Sequence, residues 1–262
     1  MGAVEIDWIR LSFAYLLLLI PFAALYYYGT GLTRTSIIAA ARMTIQLLFV
    51  GVYLKYIFEL DSIWLNLGWA ILMIGIAGAT IVKRSELRSR YIMFPVLLGI
   101  LGGLGLTAGF VLVFILDLNN PFTARYFIPI VGMLLGNCLS TSIIGLTTFY
   151  RGLDENRDRY SYRLACGASR NEALRPFISE ALKRAFNPAV ASMATIGLIA
   201  LPGMMTGQIL GGSAPWNAIR YQLIIMIAIF SGTVTSVMIG ITASGKTAFD
   251  EYDMPRRDVL RK

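Results

Sequence analysis

The chain has 262 residues, of which 56% are hydrophobic and only 15% charged, with a formal net charge of +8. A soluble domain of this size carries about a quarter charged residues, so the composition excludes an ordinary water-soluble globule and leaves room for several membrane spans. A basic balance often means nucleic acid; here the charges lie between apolar blocks, which is the membrane pattern, and no nucleic-acid partner is expected.

Seven apolar segments of spanning length follow one another, at about 8–28, 37–57, 63–82, 94–116, 127–148, 188–210 and 218–241. Backbone groups in lipid must be satisfied internally, so these segments predict helices. The first follows Glu5 and Asp7, has the length of a span and lacks a basic leader, so no cleavable signal peptide is expected. Several spans carry glycines four apart: Gly99 with Gly103, Gly105 with Gly109, Gly132 with Gly136, and Gly203 with Gly207. Such spacing lets helices approach closely, either within one chain or at a dimer seam. Pro202-Gly203 interrupts the sixth segment and predicts a kink or partial unwinding there.

Lys and Arg gather in alternate connections. Lys83, Arg84, Arg88 and Arg90 follow the third segment. Arg151, Arg157, Arg159, Arg163, Arg170, Arg175, Lys183 and Arg184 follow the fifth. Lys246, Arg256, Arg257, Arg261 and Lys262 follow the last. The other connections carry Glu5, Asp7, Glu59, Asp61 and Asp117, with Arg125 their basic exception. The expected fold is an all-α membrane protein of about seven transmembrane helices, N-terminus outside and C-terminus inside. It forms a single transmembrane domain, 1–262, with a helical cytoplasmic loop at 149–187.

The loop centre reads RLACGASRNEALRPFISEALKRAFNPA. Leu164, Ala168, Ala173, Leu174, Phe177, Ile178, Ala181, Leu182 and Phe186 recur at helical spacing. Ser169 and Glu172 form an S-x-x-E capping pattern, and Gly167 can end a preceding helix. A helix, a turn at Gly167 to Ser169, and an amphipathic helix ending at Asn187-Pro188 are therefore predicted. Two roles fit: a surface helix lying in the headgroups, or a protein-docking element whose small turn enters a partner's groove.

The stretch LACGASRNEAL is similar to the cytoplasmic EAA-type loop of ABC-transporter permeases, although its acidic residue follows the Gly-Ala-Ser turn. More specifically, IPIVGMLLGNCLSTSIIGL (128–146), the segment 167–212 with its PGMMTGQILGG block, and the following P-x-x-A-I-R-Y-Q resemble the Fet-type iron-export permease family, which includes plant aluminium-tolerance membrane subunits. That resemblance implies the permease half of an ABC exporter in a bacterial inner membrane, with iron as cargo and self-association as a permease dimer. It places ATP and magnesium on a partner ATP-binding subunit that docks at Gly167, Ala168, Ser169, Arg170, Glu172 and Ala173, with no cofactor on this chain.

Residues 240–247 read GITASGKT and satisfy G-x-x-x-x-G-K-[ST] in full. A phosphate loop needs a strand before it and a helix after it. This match follows an apolar span instead, so Lys246 is read as an inner-surface anchor and no nucleotide site or enzymatic activity is expected on this chain. Cys138 falls in a span and Cys166 in a basic loop, which disfavours a disulfide between them, and without His or CxxC there is no zinc spacing.

Asn137, Cys138, Ser140, Met193, Met204, Met205 and Gln208 are candidates to line a pathway, with interhelical hydrogen bonding and gap-filling as the alternative role. Arg42 shares a helix face with Gln46 and is read as snorkelling beside Arg34. The acidic residues all fall outside the span centres, which disfavours a proton relay and favours an external energy source. No residue set identifies a metal site. An ATP-independent channel or carrier, or a membrane scaffold subunit, are the alternative functions.

Overall fold

A computed structural model describes residues 7–256 and 258–260. The expectations placed on Glu5, Arg257, Arg261 and Lys262 lie outside these. Among the described residues, six continuous helical segments are long and apolar enough to cross a membrane. The first joins α1 (Trp8–Ala14) through a 3₁₀ turn to α2 (Leu19–Tyr27). It is followed by α3 (Thr33–Leu60), α4 (Ile63–Arg84), α5 (Ser89–Gly109), α6 (Ala124–Glu155) and, last of the six, α10 (Pro215–Ser244). A π-helical turn, Phe110–Ile115, extends α5. Between α6 and α10 lie α7 (Arg157–Ala165), α8 (Arg170–Thr195) and α9 (Gly203–Leu210).

The helix ends follow local chemistry. Lys83 and Arg84 occupy the last turn of α4, where positive charge meets the exposed carbonyls. Pro215 starts α10, where its missing N–H costs nothing. Asp61 takes a left-handed backbone (φ 33°) between α3 and α4. Its carboxylate accepts the Ala124 N–H at 2.7 Å and so ties that corner to the start of α6.

The sixth crossing is interrupted, as Pro202-Gly203 predicts, but with other bounds than expected. The amphipathic helix does not stop at Asn187-Pro188; α8 runs through Pro188 to Thr195. One missing backbone donor is tolerated because Ala185 and Phe186 are buried, Phe186 against the Phe230 ring at 6.1 Å. The chain then leaves the helix over 196–202, and Pro202 caps α9. Interruption is expected at Pro202-Gly203; the unwound stretch ends there and is longer.

The broken element nonetheless traverses the bundle. The methyl of Ala185 faces Gly145, well down α6, while Met204 and Gln208 share a cavity with Arg125 and Pro129 at the start of α6. Six continuous helices and one interrupted crossing therefore carry the chain from one face to the other.

The core is built on α5, α6 and α10. A Cβ added at Gly99 would lie 2.5 Å from the Ser236 carbonyl, and one at Gly103 would meet the Gly232 backbone and Ser236. These two glycines let α5 and α10 touch backbone to backbone. Gly105, Gly109, Gly132, Gly136, Gly203 and Gly207 have nothing within 4 Å of an added Cβ. Of the four pairs, only the first is used inside this chain.

Candidate functional site

At the basic end, α7 and α8 form a hairpin whose turn is 166–169. Gly167 adopts φ +87°, a conformation that a side chain would strain. Ser169 caps α8 as the sequence predicts: its backbone N–H and hydroxyl donate to the Glu172 carboxylate at 2.8 and 2.7 Å, and its oxygen accepts the Glu172 N–H at 3.4 Å. These bonds, first the hydroxyl and then the backbone N–H, hold the Glu172 carboxyl below the usual glutamate range. Cys166, Gly167, Ser169 and Glu172 are exposed, whereas Ala173 is fully buried.

Arg170 turns away from this exposed tip. Its guanidinium donates to the Gly245 carbonyl at 2.5 Å, pairs with Asp253 at 3.1 Å and stacks 4.3 Å over the Phe249 ring. The hairpin is thereby fastened to the end of α10 and to the chain that follows it. That tail locks the whole basic end together. Tyr160 is buried and donates to the Asp253 carbonyl at 2.7 Å. Burial pushes its phenol up to about 12; Arg170 opposes the shift while Asp253 and Asp250 add to it. Thr247 donates to the Tyr91 carbonyl at 2.5 Å, Tyr91 to Asp258 at 2.9 Å, and Arg157 to the Pro255 carbonyl at 3.1 Å. Beside the hairpin, Arg151, Glu155, Arg159, Phe177, Glu180 and Arg184 border a cavity of about 530 Å³ between α6 and α8.

Lys246 is exposed just past the end of α10, in a tail without a strand among the described residues. The GITASGKT match therefore sits on a helix C-terminus, whose carbonyls repel phosphate.

The seven pathway candidates do not converge. Cys138 is buried in the seam between α6 and α10, where its thiol donates to Ser236 at 2.9 Å. Asn137 and Ser140 lie on the outward face of α6 and bond to their own helix at Met133 and Gly136. Met193 is exposed on α8, and Met205 is buried. Met204 and Gln208 share a cavity, at the end of the bundle away from the hairpin, together with Arg125, Tyr126 and Tyr221. Sequence reasoning missed Ser236, Tyr160, Phe249 and Asp253. Ser236 was findable as a polar residue in the last span; Asp253 carried only a charge signal, and Tyr160 and Phe249 carried none that pairs them. Among the described residues, no group of three or more His, Cys, Asp or Glu stands together as a metal site.

The profile of a family described as "Uncharacterised protein family (UPF0014)" matches residues 8–249. A UPF0014 membrane protein of Synechocystis is 30% identical over 257 residues, covering 98% of each chain. Protein ALUMINUM SENSITIVE 3 of Arabidopsis thaliana is 34% identical over 221 residues, covering 81% of this chain and 77% of the relative. A protein of Escherichia coli named "Probable iron export permease protein FetB" is 29% identical over 232 residues, covering 87% of each. No solved structure matches the chain.

Proposed function

This chain belongs to the UPF0014 family of membrane proteins, and from that premise we propose that it is the permease subunit of an ABC-type exporter driven by a separate ATP-binding subunit. The hairpin face is the cytoplasmic one, on the Lys/Arg asymmetry, and the membrane is the bacterial inner membrane. ATP and magnesium bind the partner, and the cargo is a metal ion, iron by relation to the Escherichia coli protein named for its export.

The observation that carries this reading is the grip of Arg170. An exposed, capped turn of small residues suits a partner's groove. The next residue fastens that turn to the end of α10, which packs backbone to backbone on α5. A push at the turn therefore reaches the two most tightly packed spans without passing through a flexible joint.

A second copy of the chain completes the permease. On this reading residues 196–202, which have left the helix inside the broken crossing, lie at membrane depth, and Leu198 and Ile199 are 87% and 86% exposed. Irregular backbone is tolerated there only against protein or a water-filled cavity. Apolar side chains favour protein, so the broken crossing faces its counterpart in the dimer. Leu198→Cys chains in native membranes should then form a disulfide dimer on mild oxidation, and monomers alone would remove the partner from this face.

Cys166 offers a direct test of docking, because it is exposed at the turn while Cys138 is buried. A bulky maleimide on the intact chain should modify Cys166 and weaken capture of the ATP-binding subunit about tenfold or more, as expected for a central interface position. Bound ATPase should in turn protect Cys166. A labelled chain that holds the ATPase with unchanged affinity would rule out the hairpin as the coupling element.

A further inference from the structure

Two cavities adjoin at the end of the bundle away from the hairpin. The first, about 290 Å³, brings together Arg125, Tyr126, Gln208, Ser213 and Tyr221. The second, about 300 Å³, is an apolar groove between α5 and α10, bordered by Leu106, Phe110, Ile115, Ile227 and Ala228. Val111 and Ile224 belong to the walls of both. The π turn shapes this junction: Leu116 bonds five residues back to the Val111 carbonyl at 2.9 Å, and the wide turn sets Phe110, Val111 and Ile115 along the groove. Such turns are frequent at functional sites.

The first cavity sets the Arg125 cation and the Tyr126, Gln208, Ser213 and Tyr221 polar groups among apolar walls, and no carboxylate borders it. Arg125 forms no salt bridge among the described residues. The charge therefore suits an anion, and a guanidinium matches phosphate oxygens in a bidentate way. From Tyr221 to Ser231 on α10 the two cavities together descend ten helical residues, about 15 Å, and Leu116 back to Leu106 follows the same run through the π turn into α5. That depth is about half the hydrocarbon core, or one leaflet.

We propose that this composite site holds one phospholipid. Its phosphate sits at Arg125 with the Tyr126, Gln208 and Tyr221 polar groups around it, and one acyl chain lies in the groove between α5 and α10. A phosphate alone would leave the adjoining groove empty, and an uncharged apolar molecule would leave Arg125 unmatched. The site is separate from the hairpin and needs no ATPase.

The test uses the full chain purified in mild detergent, washed to strip loosely held lipid, and examined by native mass spectrometry with phosphatidylglycerol added back. The wild-type chain should retain about one phospholipid per copy. Arg125→Gln removes the charge-assisted contact and should lower retention about tenfold, while Arg125→Lys keeps most of it. Ile227→Trp, at an exposed groove position, fills the chain site and should lower retention similarly. Elution volume and thermal unfolding of each variant confirm the fold. Inorganic phosphate at millimolar concentration should not displace the lipid. Equal retention in wild type, Arg125→Gln and Ile227→Trp would mean nonspecific annular lipid and overturn the proposal. Displacement by inorganic phosphate would make this a free-anion site, and loss in Arg125→Gln with none in Ile227→Trp would mean that the groove holds no chain; either result overturns the proposal as well.

Discussion

The N-terminal pair of crossings and the bundle that follows are both apolar enough for the membrane, yet they are packed very differently. Over the most apolar stretch of each crossing no residue is buried in Trp8–Tyr27 or in Thr33–Leu60, where Ile57 lies outside that stretch, against half in Ser89–Ile115 and Ala124–Glu155. The pair is joined internally by a hydrogen bond between Tyr15 and Thr44 at 2.7 Å. It touches the bundle through Tyr53, whose ring lies 4.3 Å from that of Trp69, and through the buried Ile57. The difference teaches that hydropathy puts a helix in the bilayer but does not pack it there. Lipid is as apolar as Leu, so tight association needs small residues and shape. Helix α5 has Gly99 and Gly103 aimed at the α10 backbone; Gly51 of α3 has nothing within 4 Å.

The largest expected effect breaks that contrast at its root. Gly103→Leu must push against the Gly232 carbonyl and Ser236, and should destabilise the bundle by about 3 kcal/mol or more, the upper end for overpacking a filled core. Gly51→Leu meets open space and gains helix propensity, so it should be neutral or slightly favourable. Thermal unfolding of both variants in one detergent decides the matter. Equal losses would mean that α3 is as tightly packed as α5.

The same distinction between packed and merely adjacent groups applies at the basic end. Arg170→Ala removes a bond to the Gly245 carbonyl, the pair with Asp253 and the stack on Phe249, and should cost about 1–3 kcal/mol and expose the tail to protease. Arg184→Ala breaks only the exposed pair with Glu180 and should stay within about 0.5 kcal/mol. Similar protease sensitivity in the two would detach the hairpin from the tail.

The smallest effect concerns the cap of α8. The folded Glu172 carboxyl titrates below its unfolded value, so its contribution is complete above the ordinary glutamate pKa and is lost as pH falls through the lower, folded value. Helix content at the start of α8, followed by hydrogen exchange at Ala173, should therefore hold from neutral pH to about 5 and weaken below the usual glutamate range. Glu172→Gln should flatten that dependence. A cap that weakened with rising pH instead would reverse the assignment.

Much of this was legible in the sequence because it is local. Ser169 and Glu172 stand three apart, and a capping box needs only that spacing and a helix to start. The phosphate-loop match failed on context visible in the sequence, an apolar span of helical length where a strand is required. The hairpin's small turn was likewise visible at Gly167. The interior of α8 was not. Pro188 reads as a stop, and only the burial of Ala185 and Phe186 against α6 and α10 shows why the helix continues. Among the pathway candidates, residue type placed Asn137, Cys138 and Ser140 together, yet neighbouring positions on a helix face different ways. Cys138 meets Ser236 inside while Asn137 and Ser140 face out.

The sequence by itself determined that this is an all-helical membrane chain with a basic end, a capped hairpin and an interruption before α9. Each of those depends on apolar length, charge distribution or residues within one or two turns of each other. Tertiary structure alone decided which glycines are used, that Arg170 grips the end of α10, and that two cavities meet at Val111 and Ile224. Those depend on which helix faces which across long distances in sequence, as from Gly99 to Ser236. In a bilayer a spanning helix can be apolar all round, and then no hydrophobic pattern marks its inward face in advance.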